Sequence, residues 1–238
     1  VYRIPGGEIQ DVSDASEIVL NDEQKKAYNS LLKLYNKGEG GASLLFGVTG
    51  SGKTQVYLKL IDYMVSVGKQ VIVMVPEIAL TPQTIQIFRR RYGGKTAVIH
   101  SALSAGQRMD EWKRIKNGEV QIVVGTRSAV FAPFDNLGLI IVDEEQEHTY
   151  KSEKSPRYSA KEVALFRSAY HKAVTVFASA TPSLETYSKA KSGRYTINKL
   201  SKRYSTAELP DVRIVDMCID ALSDSSYFSK ELADSISD

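Results

Sequence analysis

Residues 47–54 read GVTGSGKT, a glycine, four variable residues, then Gly-Lys-Thr. This is the spacing with which a chain wraps phosphate. Gly47, Gly50 and Gly52 let the backbone take positive φ and approach a ligand closely, so that successive amide N–H groups converge on phosphate oxygens at a helix N-terminus. Thr49 and Ser51 complete the loop. Lys53 is placed to neutralise β- and γ-phosphates, and the Thr54 hydroxyl to help hold Mg²⁺. A glycine-rich turn without a ligand would need neither the lysine nor the hydroxyl.

A second group follows the apolar run LIIV at 139–142: Asp143, Glu144, Glu145, Gln146. Paired acids alone usually mark a solvated loop. At the end of a buried strand, and beside GVTGSGKT, they have the form of a Walker B site. There Asp143 would hold Mg²⁺ directly or through water, and Glu144 would orient and polarise the water that attacks a γ-phosphate. Three more stretches have the same placement. Ser179-Ala180-Thr181 follows VTVFA, PEIALTPQ at 76–83 follows QVIVMV, and Gly125-Thr126-Arg127-Ser128 follows VQIVV. Hydroxyls, open backbone N–H groups and a guanidinium at strand ends suit a phosphodiester backbone.

The elements that must position these groups are legible as apolar patterns. Residues 42–46 read as a buried strand entering the glycine loop, and 55–67 as the helix leaving it. The β-branched runs at 70–75, 95–100, 120–124, 139–142 and 174–178 have the character of strands buried on both faces, with helices expected at 83–92, 105–116 and 160–170. Alternation of this kind implies an α/β fold with a doubly wound parallel sheet flanked by helices and joined by right-handed crossovers. Such sheets bind ligands beyond the strand C-terminal ends, where the five stretches above fall. Upstream, Asn21 is the expected N-cap of a further helix, with Asp22 and Glu23 in its first turn, Gln24 at the capping-box position, and Ala27, Leu31, Leu32 and Leu34 on its apolar face. Residues 1–20 read as a linker from an upstream domain. Residues 195–200 and 212–217 are strand-like, and 229–236 reads as a short helix.

Bulk properties set the outer limits. The 238 residues are 42% hydrophobic and 25% charged, as in ordinary globular proteins. No apolar run approaches the roughly 18 residues that span a bilayer, and no signal-like stretch opens the chain, so no membrane partner and a cytoplasmic location are expected. The single cysteine, Cys218, excludes an internal disulfide or a cysteine-cluster zinc site within this chain, and reads as an apolar filler. A net charge of +3 and a pI near 8.7 permit a nucleic-acid partner without demanding one.

Taken in order, GVTGSGKT, PEIALTPQ, GTRSAVFAPF, IIVDEEQ and SATPSLE resemble the first motor domain of superfamily 2 helicases. More narrowly, HSALS at 100–104 and YKSEKSPRYSAKEVA at 150–164 are similar to the primosomal replication-restart helicases. The resemblance runs from about residue 21 to the end. It implies a RecA-like P-loop NTPase lobe over 21–200, with 201–238 leading toward a second lobe. It also implies ATP and Mg²⁺ as cofactors, single-stranded or forked DNA as substrate, and primosome and single-stranded DNA-binding proteins as partners. Residue by residue, it implies that Gln24 helps to recognise adenine. Thr81, Thr126 and Arg127 would contact the DNA backbone. Tyr150, Lys151, Arg157 and Tyr158 would belong to an aromatic-rich loop linking DNA to hydrolysis, and aromatics interleaved with cations do suit unpaired bases. Gln146, Ser179 and Thr181 would couple the two.

Two positions depart from the family pattern. Gln146 stands where the family usually has histidine, so that position cannot carry a proton near neutral pH, and Ala178 stands where glycine is usual before SAT. The resemblance further implies that the chain is an excised lobe. Its arginine-bearing second lobe, its zinc-binding cysteine motifs and its N-terminal DNA-binding modules are expected outside these residues, and the lobe alone is expected to turn over ATP weakly. Two other readings stay open on the sequence: a different superfamily 2 DNA translocase, and a nucleotide-binding regulatory module that moves no DNA.

Overall fold

A computed structural model describes residues 17–153 and 155–202, with isolated positions at 214, 215, 229, 232, 235 and 236. Seven strands alternate with helices: α1 (Asp22–Asn36), β1 (Gly41–Gly47), α2 (Lys53–Ser66), β2 (Gln70–Met74), α3 (Pro82–Tyr92), β3 (Thr96–Ile99), α4 (Ala105–Lys116), β4 (Ile122–Gly125), β5 (Leu137–Val142), α5 (Ala160–His171), β6 (Val174–Ser179), α6 (Leu184–Lys191) and β7 (Thr196–Leu200). The strands form one sheet in the order β3-β4-β2-β5-β6-β1-β7, and every pairing is parallel. This is the RecA-like P-loop NTPase architecture.

The β-branched runs are continuous because both faces of the sheet are covered. On one face Leu45, Val71, Val73, Ile141 and Val176 pack with Leu31, Leu60, Ile61 and Phe88. On the other, Leu44, Ile72, Met74, Ile140 and Phe177 pack with Ile115, Ala164 and Tyr150. Neighbours in sequence thus bury themselves in opposite cores, the period-2 rule of a strand, each large side chain contributing roughly 1.5–3 kcal/mol. The α1 N-terminus is capped as expected, with the Asn21 side chain accepting from the Gln24 N–H and the Gln24 side chain accepting from the Asn21 N–H, both at 2.9 Å. One helix was not legible in advance: α6, a short segment of low apolar periodicity whose N-cap, Ser183, accepts from the Thr186 N–H.

Strand order decides which motifs meet. Because β6 lies between β1 and β5, Ser179 pairs with Phe46, one residue before the glycine loop, and Val142 pairs with Phe177. Backbone bonds carry the contact past the strand ends: the Asp143 N–H donates to Met74 O at 2.9 Å and the Glu145 N–H to Ala178 O at 3.1 Å. The compact unit containing the sheet ends at Ser205, and a second unit covers Thr206–Asp238. In that second unit Leu232, Ser235 and Ile236 are helical, and the Leu232 N–H donates to Ser229 Oγ at 3.1 Å. Most of the strand expected over 212–217, Cys218 and most of the linker over 1–20 lie outside the described residues, and Ile214 and Val215, which are described, are not in a strand.

Candidate active site

The loop after β1 is shaped by its glycines. A Cβ on Gly47 would stand 2.6 Å from Ser51 Oγ and 2.9 Å from Leu200 Cβ, so only glycine lets the loop close there. Gly50 and Gly52 take φ of 78° and 81°, whereas Gly47, the last residue of β1, does not take the positive φ expected of it, and Gly52 is the N-cap of α2 with no side chain of its own to occupy the first-turn amides. Ser51 Oγ is buried and has no hydrogen-bond partner among the described residues, a condition costing about 1–3 kcal/mol that a phosphate oxygen in the loop would relieve. Lys53 Nζ is buried and donates to Gly47 O at 2.7 Å and Val48 O at 3.4 Å. Burial pulls its pKa down, and the carboxylates of Glu144 and Asp143 push it back up. The donor set therefore fits a polyphosphate. Thr49 is exposed at the loop tip, and Gln24, fully buried, donates from Nε2 to Ser51 O at 3.0 Å. Its other amide atom is the one that accepts from Asn21, so Gln24 ties α1 to the phosphate loop.

Asp143, read with Thr54 as a Mg²⁺ ligand, is held by a residue of α2. The Tyr57 hydroxyl donates to Asp143 Oδ2 at 3.1 Å. Burial, then the Asp143 charge, lifts the Tyr57 phenol well above its ordinary value, so it stays protonated and remains a donor. Burial and then Glu144 raise the Asp143 carboxyl, against the hydrogen bonds from Tyr57 and the Glu144 N–H. Oxygen donors on a short loop and a strand end, one of them held by a phenol, suit a hard cation.

The turn after β5 forces adjacent acids apart. Glu144 sits at φ 43°, a left-handed conformation costing a non-glycine residue about 1–3 kcal/mol. Its Oε2 accepts from Gln146 Nε2 at 3.0 Å, while Gln146 Oε1 accepts from Ser179 Oγ at 2.6 Å, and Ser179 Oγ in turn accepts from the Thr181 N–H at 2.9 Å. The three residues expected to couple thus form one hydrogen-bond chain ending on Glu144. Glu145 points elsewhere. It is fully buried and accepts from Lys161 Nζ at 2.8 Å, the Ser183 N–H at 2.6 Å, Ser183 Oγ at 3.1 Å and Thr186 Oγ1 at 2.9 Å.

The strand ends on the β3-β4-β2 side hold the residues expected to face DNA. Thr81 caps α3 by accepting from the Thr84 N–H at 3.3 Å. Thr126 is buried, its N–H donating to Ile99 O. Arg127 Nη1 donates to Thr149 O at 3.3 Å and Lys151 O at 3.1 Å, fastening this turn to the 148–159 loop. Lys151 and Arg157 are exposed, and Tyr158 lies edge-to-face on Phe131 with ring centroids 5.0 Å apart. Tyr150 is not with them. Its ring is fully buried and its hydroxyl contacts Asp143 O at 2.5 Å and Met74 O at 3.1 Å, so it offers no face to a base and instead braces the end of β5.

A model of the DEAD/DEAH box helicase family matches residues 21–190. The chain belongs to that family. Among curated proteins, this DEAD/DEAH box chain is 46% identical over 239 residues to the replication restart protein PriA of Bacillus subtilis, covering 99% of this chain and 29% of that protein. It is 45% identical over 199 residues to the protein of that name from Chlamydia muridarum, covering 83% and 26% of the two chains. With the Rickettsia felis PriA it shares 41% identity over 220 residues, 92% and 33% of the two. The chain therefore spans about a third or less of the length of these relatives. In fold it resembles RecG bound to a three-way DNA junction (TM-score 0.57, 24% identity, 80% of this chain and 25% of that one) and the Pyrococcus furiosus Hef helicase domain (TM-score 0.53, 19% identity, 75% and 37%).

Two residues of this helicase-family site gave no sequence signal. Tyr57 reads as one more apolar position of α2, and its hydroxyl gains meaning only from the β5 end across the sheet. Glu145 looks like a third solvated acid of DEEQ, and only the position of α6 shows that it is a buried acceptor. Among the described residues, no helix is long and apolar enough to cross a membrane.

Proposed function

We propose that this chain is the ATP-binding lobe of an ATP-dependent DNA helicase acting in replication restart, which couples ATP hydrolysis to translocation along single-stranded DNA and separation of duplex. The observation that carries the reading is the hydrogen-bond chain from Thr181 through Ser179 and Gln146 to Glu144, adjoining a loop built for phosphate. In this reading Lys53 leaves the loop carbonyls to meet the phosphates, and the amides that open α2 hold their oxygens. Thr54 and Asp143 would hold Mg²⁺, with Tyr57 orienting Asp143. Bound there with ATP, Mg²⁺ supplies neutralisation of the charge on the transferring phosphate. Glu144 accepts a proton-bearing water, and Gln146 fixes where its carboxylate points. Gln24 would reach adenine from the α1 N-terminus, beside the loop it already contacts.

Thr81, Thr126, Arg127, Lys151, Arg157 and Tyr158 are the proposed DNA contacts. Tyr150 acts beneath them, its hydroxyl joining their loop to the Walker B strand. The PriA relatives support replication restart as the setting. Forked DNA, primosome and single-stranded DNA-binding proteins as partners, and the cytoplasm as location, are proposed along with it. The test is ATPase activity of the full-length protein with and without forked DNA. Stimulation that disappears in Lys53→Ala is expected. Turnover indifferent to DNA refutes the motor and favours a nucleotide-switched module.

A further inference from the structure

A cavity of about 430 Å³ opens beyond the C-terminal ends of β3 and β4. Its size is within the roughly 300–1,000 Å³ typical of sites for small molecules. Two large aromatic side chains line it, Trp112 on α4 and Phe131 in the turn after β4, and they are 46% and 54% exposed. Half-wet rings of this size, lining one cavity from different elements, are surfaces suited to a flat apolar partner. Arg108 and Arg127 supply charge on the same walls. Each guanidinium bonds carbonyl oxygens, Ser101 and Leu103 for the first, Thr149 and Lys151 for the second, and neither forms an ion pair with a carboxylate among the described residues. Their charge is thus available to a phosphate. Glu77 is the acidic member of the lining and can accept from the amino group of a base.

Rings for a base, guanidiniums for its phosphate and an acceptor for its edge belong together on a nucleotide. We propose that this cavity is a pocket for one unpaired nucleotide of the DNA strand, and that its occupancy is what the 148–159 loop senses. The proposal rests on the DNA-motor reading and adds a base-binding site to it. Two contacts carry the signal. Phe131 packs edge-to-face on Tyr158, and Arg127 holds the carbonyls that flank Tyr150, whose hydroxyl in turn meets Asp143 O. A base that draws Phe131 onto its face, or a phosphate that draws Arg127 off those carbonyls, moves the loop one link from the Walker B strand.

The pocket reports on itself, since Trp112 is the single tryptophan of the 238 residues. Binding of a 5′-labelled single-stranded oligonucleotide is followed by anisotropy of the label and, in parallel, by Trp112 emission. Expected is a saturable change in Trp112 emission at the concentration at which anisotropy saturates, and none with blunt duplex. Phe131→Ala, a truncation at a half-exposed position, weakens binding roughly 5- to 100-fold through the lost stack, and Phe131→Tyr restores it. Arg108→Gln lowers the salt dependence by about one counterion. Oligonucleotide that binds by anisotropy while Trp112 emission is unmoved, or that binds Phe131→Ala as tightly as wild type, overturns the pocket and leaves the motor reading standing. An equal Trp112 response to free dAMP at the same concentration reassigns the cavity to mononucleotides and overturns the strand as occupant. Failure of any single strand to bind refutes both.

Discussion

Removing the Glu145 carboxylate should unseat the end of the sheet without touching phosphate or metal groups. The carboxylate is fully buried and takes four hydrogen bonds, one from an ammonium on α5 and three from the start of α6. Breaking a buried pair typically costs about 3–5 kcal/mol because a charge is stranded. Lys161 keeps 21% of its side-chain surface in water and can turn outward, which lowers that figure. The Ser183 N–H and the buried Thr186 hydroxyl cannot turn outward, and each loses an acceptor at about 1 kcal/mol. We therefore expect Glu145→Ala to cost about 3 kcal/mol, and Glu145→Gln, which keeps shape and one acceptor, about half of that. With a urea m-value of about 3 kcal/mol/M for a chain of this size, the unfolding midpoint falls by about 1 M for alanine. The comparison is Glu153→Ala, an exposed acid on the same connection, expected to shift it by less than about 0.2 M. A Glu145→Ala midpoint no lower than that of Glu153→Ala would refute the reasoning, and Glu145 would then be a dispensable surface acid.

Tyr57→Phe leaves the ring in the core but withdraws the hydroxyl that donates to Asp143. The Mg²⁺ concentration for half-maximal binding of a fluorescent ATP analogue should rise roughly tenfold, the loss of one hydrogen bond to a charged group, with metal-free nucleotide binding unchanged. Gln146→Ala in the full-length protein should abolish most DNA stimulation of ATPase while sparing nucleotide affinity, because Ser179 and Glu144 lose their common partner. Gln146→His should retain stimulation at pH 8, where a neutral imidazole can accept and donate, and lose it below about pH 6, where imidazolium cannot accept from Ser179. His100 and His171 are both held below their ordinary value of about 6.5, first by burial and then by Arg108 and Arg167 respectively. The unfolded chain therefore binds protons more readily, so their contribution is complete above about pH 6.5 and is lost as pH falls through and below it. Urea midpoints between pH 5 and 7.5 should show this slope, flattened in the His100→Asn, His171→Asn double variant.

The sequence by itself determined the strand and helix order, α6 excepted, and the phosphate loop, because those depend on local matters: a run of β-branched residues, a capping box, glycines at fixed offsets. It also placed Asp143 and Glu144 at a strand end, and grouped Gln146 with Ser179 and Thr181 through family resemblance. What the tertiary structure decided is which strand ends are neighbours. Only the adjacency of β5 and β6 turns two separate motifs, DEEQ and SAT, into one hydrogen-bond chain, and only packing across the sheet makes Tyr57 a partner of Asp143. The same cause explains the tyrosines of the 148–159 loop. Tyr150 and Tyr158 look alike in sequence, yet one is sealed beneath β5 while the other leans on Phe131 at the rim of a cavity. Burial is a property of the surroundings, and the surroundings of a loop come from elements far away in the chain.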